Sequence, residues 1–250
     1  MKIPEHRLLP LVRQYLQANA GNLLPGFVHN MNNYLQVLDM QLELISRRGP
    51  SGLSGGAEGQ GRLERLLKSV EGLTVQLKCA DKRHFYNAEE QTQINLPEYL
   101  AWLKDFWDNN LYFKHHVALS LDLEPDIPSL EVPPLFLTFC LEEPLKNALE
   151  SCQAQNSEND QTIAMPLRVF RHEQGVAFQL ISPTRLPRDI TPWEMGSTTK
   201  PGHLGIGLFL VEHYARLLGW SVSLEQGDAT VRYTLSVPHV RTLSPDQDVL

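Results

Sequence analysis

The chain has 250 residues, 42% of them hydrophobic and 20% charged, enough to bury a core and too little charge for a disordered polyelectrolyte. Its 22 basic and 29 acidic side chains give a formal net charge of −7, which argues against a general nucleic-acid binder. Three scattered cysteines without C-x-x-C spacing exclude a disulfide framework and a structural zinc site. The N-terminus has no apolar stretch before a cleavage site, and no apolar run approaches the roughly 20 residues that cross a bilayer. A cytoplasmic location is expected.

Helical spacing runs through residues 4–19, with Leu8, Leu9, Val12, Tyr15 and Leu16 on one face. Gly21, Pro25 and Gly26 predict a break. Beyond it Val28, Met31, Leu35, Leu38, Leu42 and Ile45 repeat at alternating steps of three and four, a coiled-coil seam. The Gly- and Ser-rich stretch 48–61 predicts a flexible connector. A second seam follows at Leu63, Leu66, Val70, Leu73 and Leu77. Two such helices form an antiparallel hairpin that cannot cover its own apolar residues, so a homodimeric four-helix bundle is expected.

The second half is mixed. A helix is expected over 96–113, a strand over 116–123, a Pro-rich connector over 124–134 and a helix over 135–152. A polar loop at 156–161 precedes two strands, 162–172 and 176–182, that meet at Glu173-Gln174-Gly175. A Pro- and Gly-rich loop spans 183–205. A helix over 207–218 and strands over 221–226 and 230–237 complete an α/β sandwich, with helices on one face of a mostly antiparallel sheet.

Three groups of residues could carry chemistry. His29 lies beside the first seam, with Asn33 one turn later, so an imidazole and an amide share a face. Glu143 and Asn147 share a face at the same spacing, which the pattern places opposite the apolar stripe and open to solvent. A carboxylate and an amide there could hold Mg²⁺ with the phosphates it neutralises. Glu142 is expected to be a surface residue. The third group is the run from Gly196 to Leu208. Its hydroxyls Ser197, Thr198 and Thr199, its Lys200, and its glycines Gly202, Gly205 and Gly207 lead into a helix whose N-terminus favours phosphate. Adjacent His115 and His116 point apart on a strand and make no metal site. Trp102, Phe106 and Trp107 read as core.

In this order the three groups resemble the sensor histidine kinases of bacterial two-component systems. Residues 28–35, Val-His-Asn-Met-Asn-Asn-Tyr-Leu, are similar to the phosphoacceptor H-box, nearest to the nitrogen-sensor type. Residues 142–148, Glu-Glu-Pro-Leu-Lys-Asn-Ala, are similar to the N-box, and residues 197–208 to the ATP lid with the second glycine box. The resemblance implies an N-terminal helix (1–25), a dimerisation and histidine-phosphotransfer hairpin (26–90), a GHKL-type (Bergerat) ATPase-like domain (91–240) and a tail (241–250). It implies autophosphorylation of His29 from Mg-ATP and transfer to an aspartate of a response-regulator receiver domain. His29 and Asn33 would be the catalytic pair. Glu143, Asn147, Ser182, Thr198, Thr199, Lys200, Gly202, Gly205, Gly207 and Leu208 would hold nucleotide, with Mg²⁺ at Asn147 and Glu143. Input would come through the N-terminal helix or from an upstream sensor protein.

The chain departs from that pattern at three places. Asn30 stands where the family has an acidic general base, and an amide cannot take a proton at neutral pH. The first glycine box is missing: Ser182-Pro183-Thr184 stands where the adenine-binding aspartate and its glycines belong, and loss of a charged acceptor there costs a few kcal/mol. Pro144 interrupts the N-box helix at a cost of about 3 kcal/mol if the helix stays straight. These departures keep two further readings open: an ATP-independent histidine phosphotransferase or phosphatase-biased pseudokinase, and a non-catalytic dimeric scaffold.

Overall fold

A computed structural model describes residues 8–48, 56–155, 162–173, 175–187, 191–200 and 202–238. The expected connector at 49–55, the polar loop at 156–161, Gln174, Pro201 and the tail at 241–250 lie outside the described residues. Two long helices, α1 (Leu8–Arg48) and α2 (Ala57–Phe85), form the hairpin. Then come β1 (Thr92–Ile94), α3 (Leu96–Trp107), α4 (Leu111–His116), β2 (Val117–Leu123), β3 (Leu130–Val132), α5 (Pro134–Gln155), β4 (Ile163–His172), β5 (Gly175–Ser182), α6 (Gly207–Leu217), β6 (Ser221–Gln226) and β7 (Val231–Pro238).

The main sheet has the order β2-β4-β5-β7-β6. Within it the β2–β4 pair is parallel, and the β4–β5, β5–β7 and β7–β6 pairs are antiparallel. Alternating Ile163, Met165, Leu167 and Val169 of β4, and Val231, Tyr233, Leu235 and Val237 of β7, turn one face inward. Helices α5 and α6 cover that face with Leu137, Leu141, Leu145, Leu210 and Val211. A helical N-terminal region followed by a mixed α/β sandwich is therefore the architecture. Three-residue β1 and β3 pair with each other in a separate antiparallel ribbon, which the residue pattern did not show.

Several sequence expectations need correction. α1 does not break at Gly21, Pro25 and Gly26; it runs unbroken through Pro25. Pro25 withholds a hydrogen bond from the carbonyl of Gly21, an exposed residue where water can replace it. Gly26 is buried, and a Cβ there would sit 1.7 Å from the Asn109 carbonyl oxygen, so it permits contact rather than ending the helix. α2 begins at Ala57, inside the expected connector. The helix expected over 96–113 is two helices, because Asn110 caps α4 by accepting the Phe113 N–H at 2.9 Å.

α1 splits its packing along its length. Leu8, Val12, Leu16 and Leu23 join the same core as the α/β domain, as do Cys79 and Tyr86 at the end of α2. Farther along, α1 packs on α2, with the Tyr34 ring filling the space that Gly72 leaves open. Both predicted seams stay largely uncovered within one chain: Leu35 is 49% exposed, Leu42 56%, Leu63 49% and Leu77 57%.

Candidate functional site

Most of the expected nucleotide-binding residues converge from α5, the segment before α6 and the first turn of α6. Glu143, Asn147, Ser197, Thr198, Thr199, Lys200, Gly205, Gly207 and Leu208 line one cavity of about 140 Å³. Gly202 does not line it; it is an exposed residue with a φ of +76°. The loop closes on itself where the Gly196 N–H donates to the Gly205 carbonyl at 2.9 Å. Gly205 has a φ of +62°, and a Cβ there would lie 2.7 Å from the Gly196 carbonyl carbon, so glycine is required on both counts.

Gly207 opens α6 directly over Glu143. A Cβ on Gly207 would be 1.9 Å from Glu143 Oε1. Glu143 is therefore not on an open face, as its spacing suggested. It is 3% exposed, and its Oε2 has no hydrogen-bond partner. Burial raises its pKa, with Lys146 opposing. Asn147 is half-buried, and its amide reaches Glu143 Oε1 at 3.5 Å. Lys200 lies across the mouth, its Nζ 3.0 Å from Asn147 Oδ1 and 2.6 Å from Glu150 Oε2. A cation thus already rests on the Asn147 oxygen, and beside it the buried Glu143 Oε2 has no hydrogen bond and faces Lys146 Nζ at 3.8 Å. Hard oxygen donors of this kind fit Mg²⁺.

Pro144 does not break α5. A proline lacks the N–H that would bond the carbonyl four residues back, here Cys140. The Tyr233 hydroxyl of β7 donates to that carbonyl at 2.7 Å instead. The helix therefore keeps Glu143 and Asn147 on one face.

At the expected adenine end, Ser182 is buried at the end of β5 with its Oγ 2.9 Å from Thr184 Oγ1. The cavity that Ser182 shares with Asn147 and Leu208 measures about 70 Å³. Small-molecule sites begin near ~300 Å³. The Leu186 N–H donates to Gln226 Oε1 at 2.6 Å, which ties the segment after β5 to the β6–β7 turn.

His29 and Asn33 are both exposed on α1, with His29 Nε2 3.2 Å from Asn33 Nδ2. Neither lines the cavity. The structure therefore holds two separate groups, an imidazole–amide pair on the hairpin and an acidic, lysine-crossed cavity under the loop.

Sequence reasoning missed Tyr15, Lys146 and Glu150. Lys146 and Glu150 follow Glu143 by three and seven positions on α5, so helical spacing could have placed them nearby. No local signal could place Tyr15, which reaches the cavity from α1. Its ring packs edge-on to Phe139 and lies 5.3 Å from Lys146 Nζ. Burial, then Glu143 and Glu150, pushes its phenol up to about 12. Glu142 is the largest correction. It is no surface residue but 0% exposed, paired with Arg83 of α2 and reached by Asn19 Nδ2 of α1 at 3.4 Å.

No protein-family model matches the chain, and no curated protein matches it in sequence. Solved structures do. The nucleotide-free catalytic domain of the histidine kinase ThkA is 15% identical, with 60% of this chain and 95% of that chain covered at a TM-score of 0.51. Full-length ShkA, solved in complex with AMPPNP, is 15% identical, with 94% of this chain and 46% of that chain covered at a TM-score of 0.50. The fold is that of histidine kinase domains, a helical hairpin region followed by a GHKL-like α/β domain.

Proposed function

We propose that the chain is a dimeric two-component histidine kinase of weakened nucleotide affinity, in which His29 accepts a phosphoryl group from Mg-ATP and passes it to a receiver-domain aspartate. The observation that carries this reading is the convergence of Glu143, Asn147, Thr198, Lys200 and Gly207 on one cavity beneath the start of α6. A merely structural role does not require a buried carboxylate oxygen left without a hydrogen bond beside a lysine-crossed amide. Glu143 and Asn147 would hold Mg²⁺, which when bound neutralises phosphate charge. The backbone N–H groups at the start of α6 and the Lys200 ammonium would bind and orient phosphates.

At the hairpin, neutral His29 uses its Nε2 lone pair. Asn33 donates to that nitrogen at rest and must swing aside, after which its amide can bond a phosphoryl oxygen. The new N–P bond forms as the bond from phosphorus to the leaving oxygen breaks. The proton on Nδ1, which Asn30 cannot accept, leaves to water because His29 is exposed. The exposed seams of α1 and α2 support a four-helix homodimer.

A second reading is favoured by the adenine end. Ser182 is already bonded to Thr184, and the cavity beside it is about 70 Å³. An ATP-independent phosphotransferase, loaded and unloaded by receiver domains, needs His29 and Asn33 but no purine pocket. Calorimetric titration of the full chain with ATP, with and without Mg²⁺, separates the two. Submillimolar, Mg²⁺-dependent binding supports the kinase. No binding, with transfer from a phosphorylated receiver that is lost in His29→Gln, supports the phosphotransferase.

A further inference from the structure

Asn30, beside the exposed His29, is buried. Its Oδ1 accepts from Lys114 Nζ at 2.7 Å, and its Nδ2 donates to Asn109 Oδ1 at 3.1 Å. Asn109 cannot freely turn over, because its own Nδ2 donates to the carbonyls of Asp105 and Phe106 at 3.2 and 3.1 Å. The position therefore needs a side chain that accepts on one side and donates on the other. An amide does both; a carboxylate only accepts, and would set its lone pairs against Asn109 Oδ1.

The contact belongs to a longer seam. Leu16, Asn19, Leu23, Gly26 and Asn30 are buried along one stripe of α1. At one end the Leu16 carbonyl accepts from Arg83 at 2.9 Å and Asn19 meets Glu142. At the other, Gly26 lies against the Asn109 carbonyl. The stripe holds the α/β domain on the hairpin with a fixed offset. Tyr15 is the α1 residue that lines the cavity. His29 lies fourteen positions on, about 21 Å along the axis at about 1.5 Å per residue. Phosphoryl transfer needs the reacting atoms within roughly 3.5 Å.

We infer that Asn30 is a docking residue that holds the α/β domain on the hairpin through Asn109 and Lys114, in an arrangement that keeps the chain's own cavity away from His29 and leaves the imidazole facing a receiver domain. The docking role stands on the contacts alone; its consequence for phosphoryl traffic rests on the function proposed above. The acid missing beside His29 is thereby accounted for, since the position serves the domain contact and not proton transfer.

Hydrogen exchange of the full chain tests the inference in Asn30→Leu and Lys114→Met, two variants that each remove the Lys114–Asn30 bond and leave the sheet and its apolar helices untouched. Amides at 19–30 and 105–114 are expected to exchange about tenfold faster in both, as loss of a charge-assisted hydrogen bond allows, while β4, β5 and β7 exchange as in the wild type. Unchanged exchange at 19–30 and 105–114 in both variants would overturn the docking role. Phosphorylation of His29 by Mg-ATP and by a phosphorylated receiver, measured on the same samples, is a separate readout. Faster exchange with no phosphohistidine in any sample would retain the docking role and reject the function it rests on.

Discussion

Arg83 of α2 and Glu142 of α5 form an ion pair sealed inside the molecule, the arginine side chain 9% exposed and the carboxylate 0%. The guanidinium also stands 4.6 Å from the centre of the Phe106 ring and donates to the Leu16 carbonyl. Four helices thus meet at one charge pair, which makes the hairpin base and the α/β domain a single core.

Breaking that pair from one side strands a buried charge. Glu142→Ala is expected to lower unfolding free energy by about 3–5 kcal/mol. The double variant Arg83→Met/Glu142→Leu leaves no charge behind and is expected to lose far less. Urea denaturation of the three proteins measures the difference, and equal losses in both variants would contradict it.

Tyr233 and Pro144 make a second coupled pair. Tyr233→Phe removes the donor to the Cys140 carbonyl and is expected to cost about 1–3 kcal/mol. Pro144→Ala restores a backbone N–H to the same acceptor, so Tyr233→Phe should cost markedly less in that background. A double-mutant cycle with no coupling would show that the Tyr233 hydroxyl is not what lets α5 pass through Pro144.

Glu143 sets a pH dependence. Burial raises its folded-state pKa above the ordinary 4.5, so the folded chain holds that proton more tightly than the unfolded one. Its contribution favours folding below about pH 4.5 and becomes a penalty as pH rises through the raised folded value. Glu143→Gln should therefore raise Tm at pH 7–8, by ~2–4 °C for each kcal/mol recovered. The gap should close toward pH 4. A gap that widens on acidification would reverse the sign argued here.

The bare seams of the hairpin predict self-association. Leu35→Glu combined with Leu42→Glu places charges at two exposed seam positions of α1 and is expected to convert dimer to monomer in sedimentation velocity, leaving far-UV circular dichroism intact. A wild-type chain that sediments as a monomer at tens of micromolar would remove the reason for the seams.

Periodicity made α5, α6, the strands of the main sheet and both hairpin seams readable, because each depends on neighbours three, four or two positions away. The errors fell where a residue's meaning depends on something distant. Gly26 reads as a helix breaker until Asn109 is seen against it. Glu142 reads as surface because its partner Arg83 lies 59 positions earlier, on another helix. Glu143 reads as solvated because the glycine that covers it, Gly207, arrives from a different segment. The loop residues and the N-box pair were legible as a group, since their chemistry is written in short runs. Tyr15 and Asn30 were not, since their roles exist only once α1 lies on the α/β domain.

The account rests on His29 as the residue that carries phosphate. Its most direct test is to incubate the chain with a receiver domain already phosphorylated on its aspartate and map acid-labile phosphate by mass spectrometry at neutral pH. Phosphate on His29, absent in His29→Gln and turned over more slowly in Asn33→Ala, is the predicted result. A chain that takes up phosphate equally well in His29→Gln, or none from any receiver or from Mg-ATP, would contradict it.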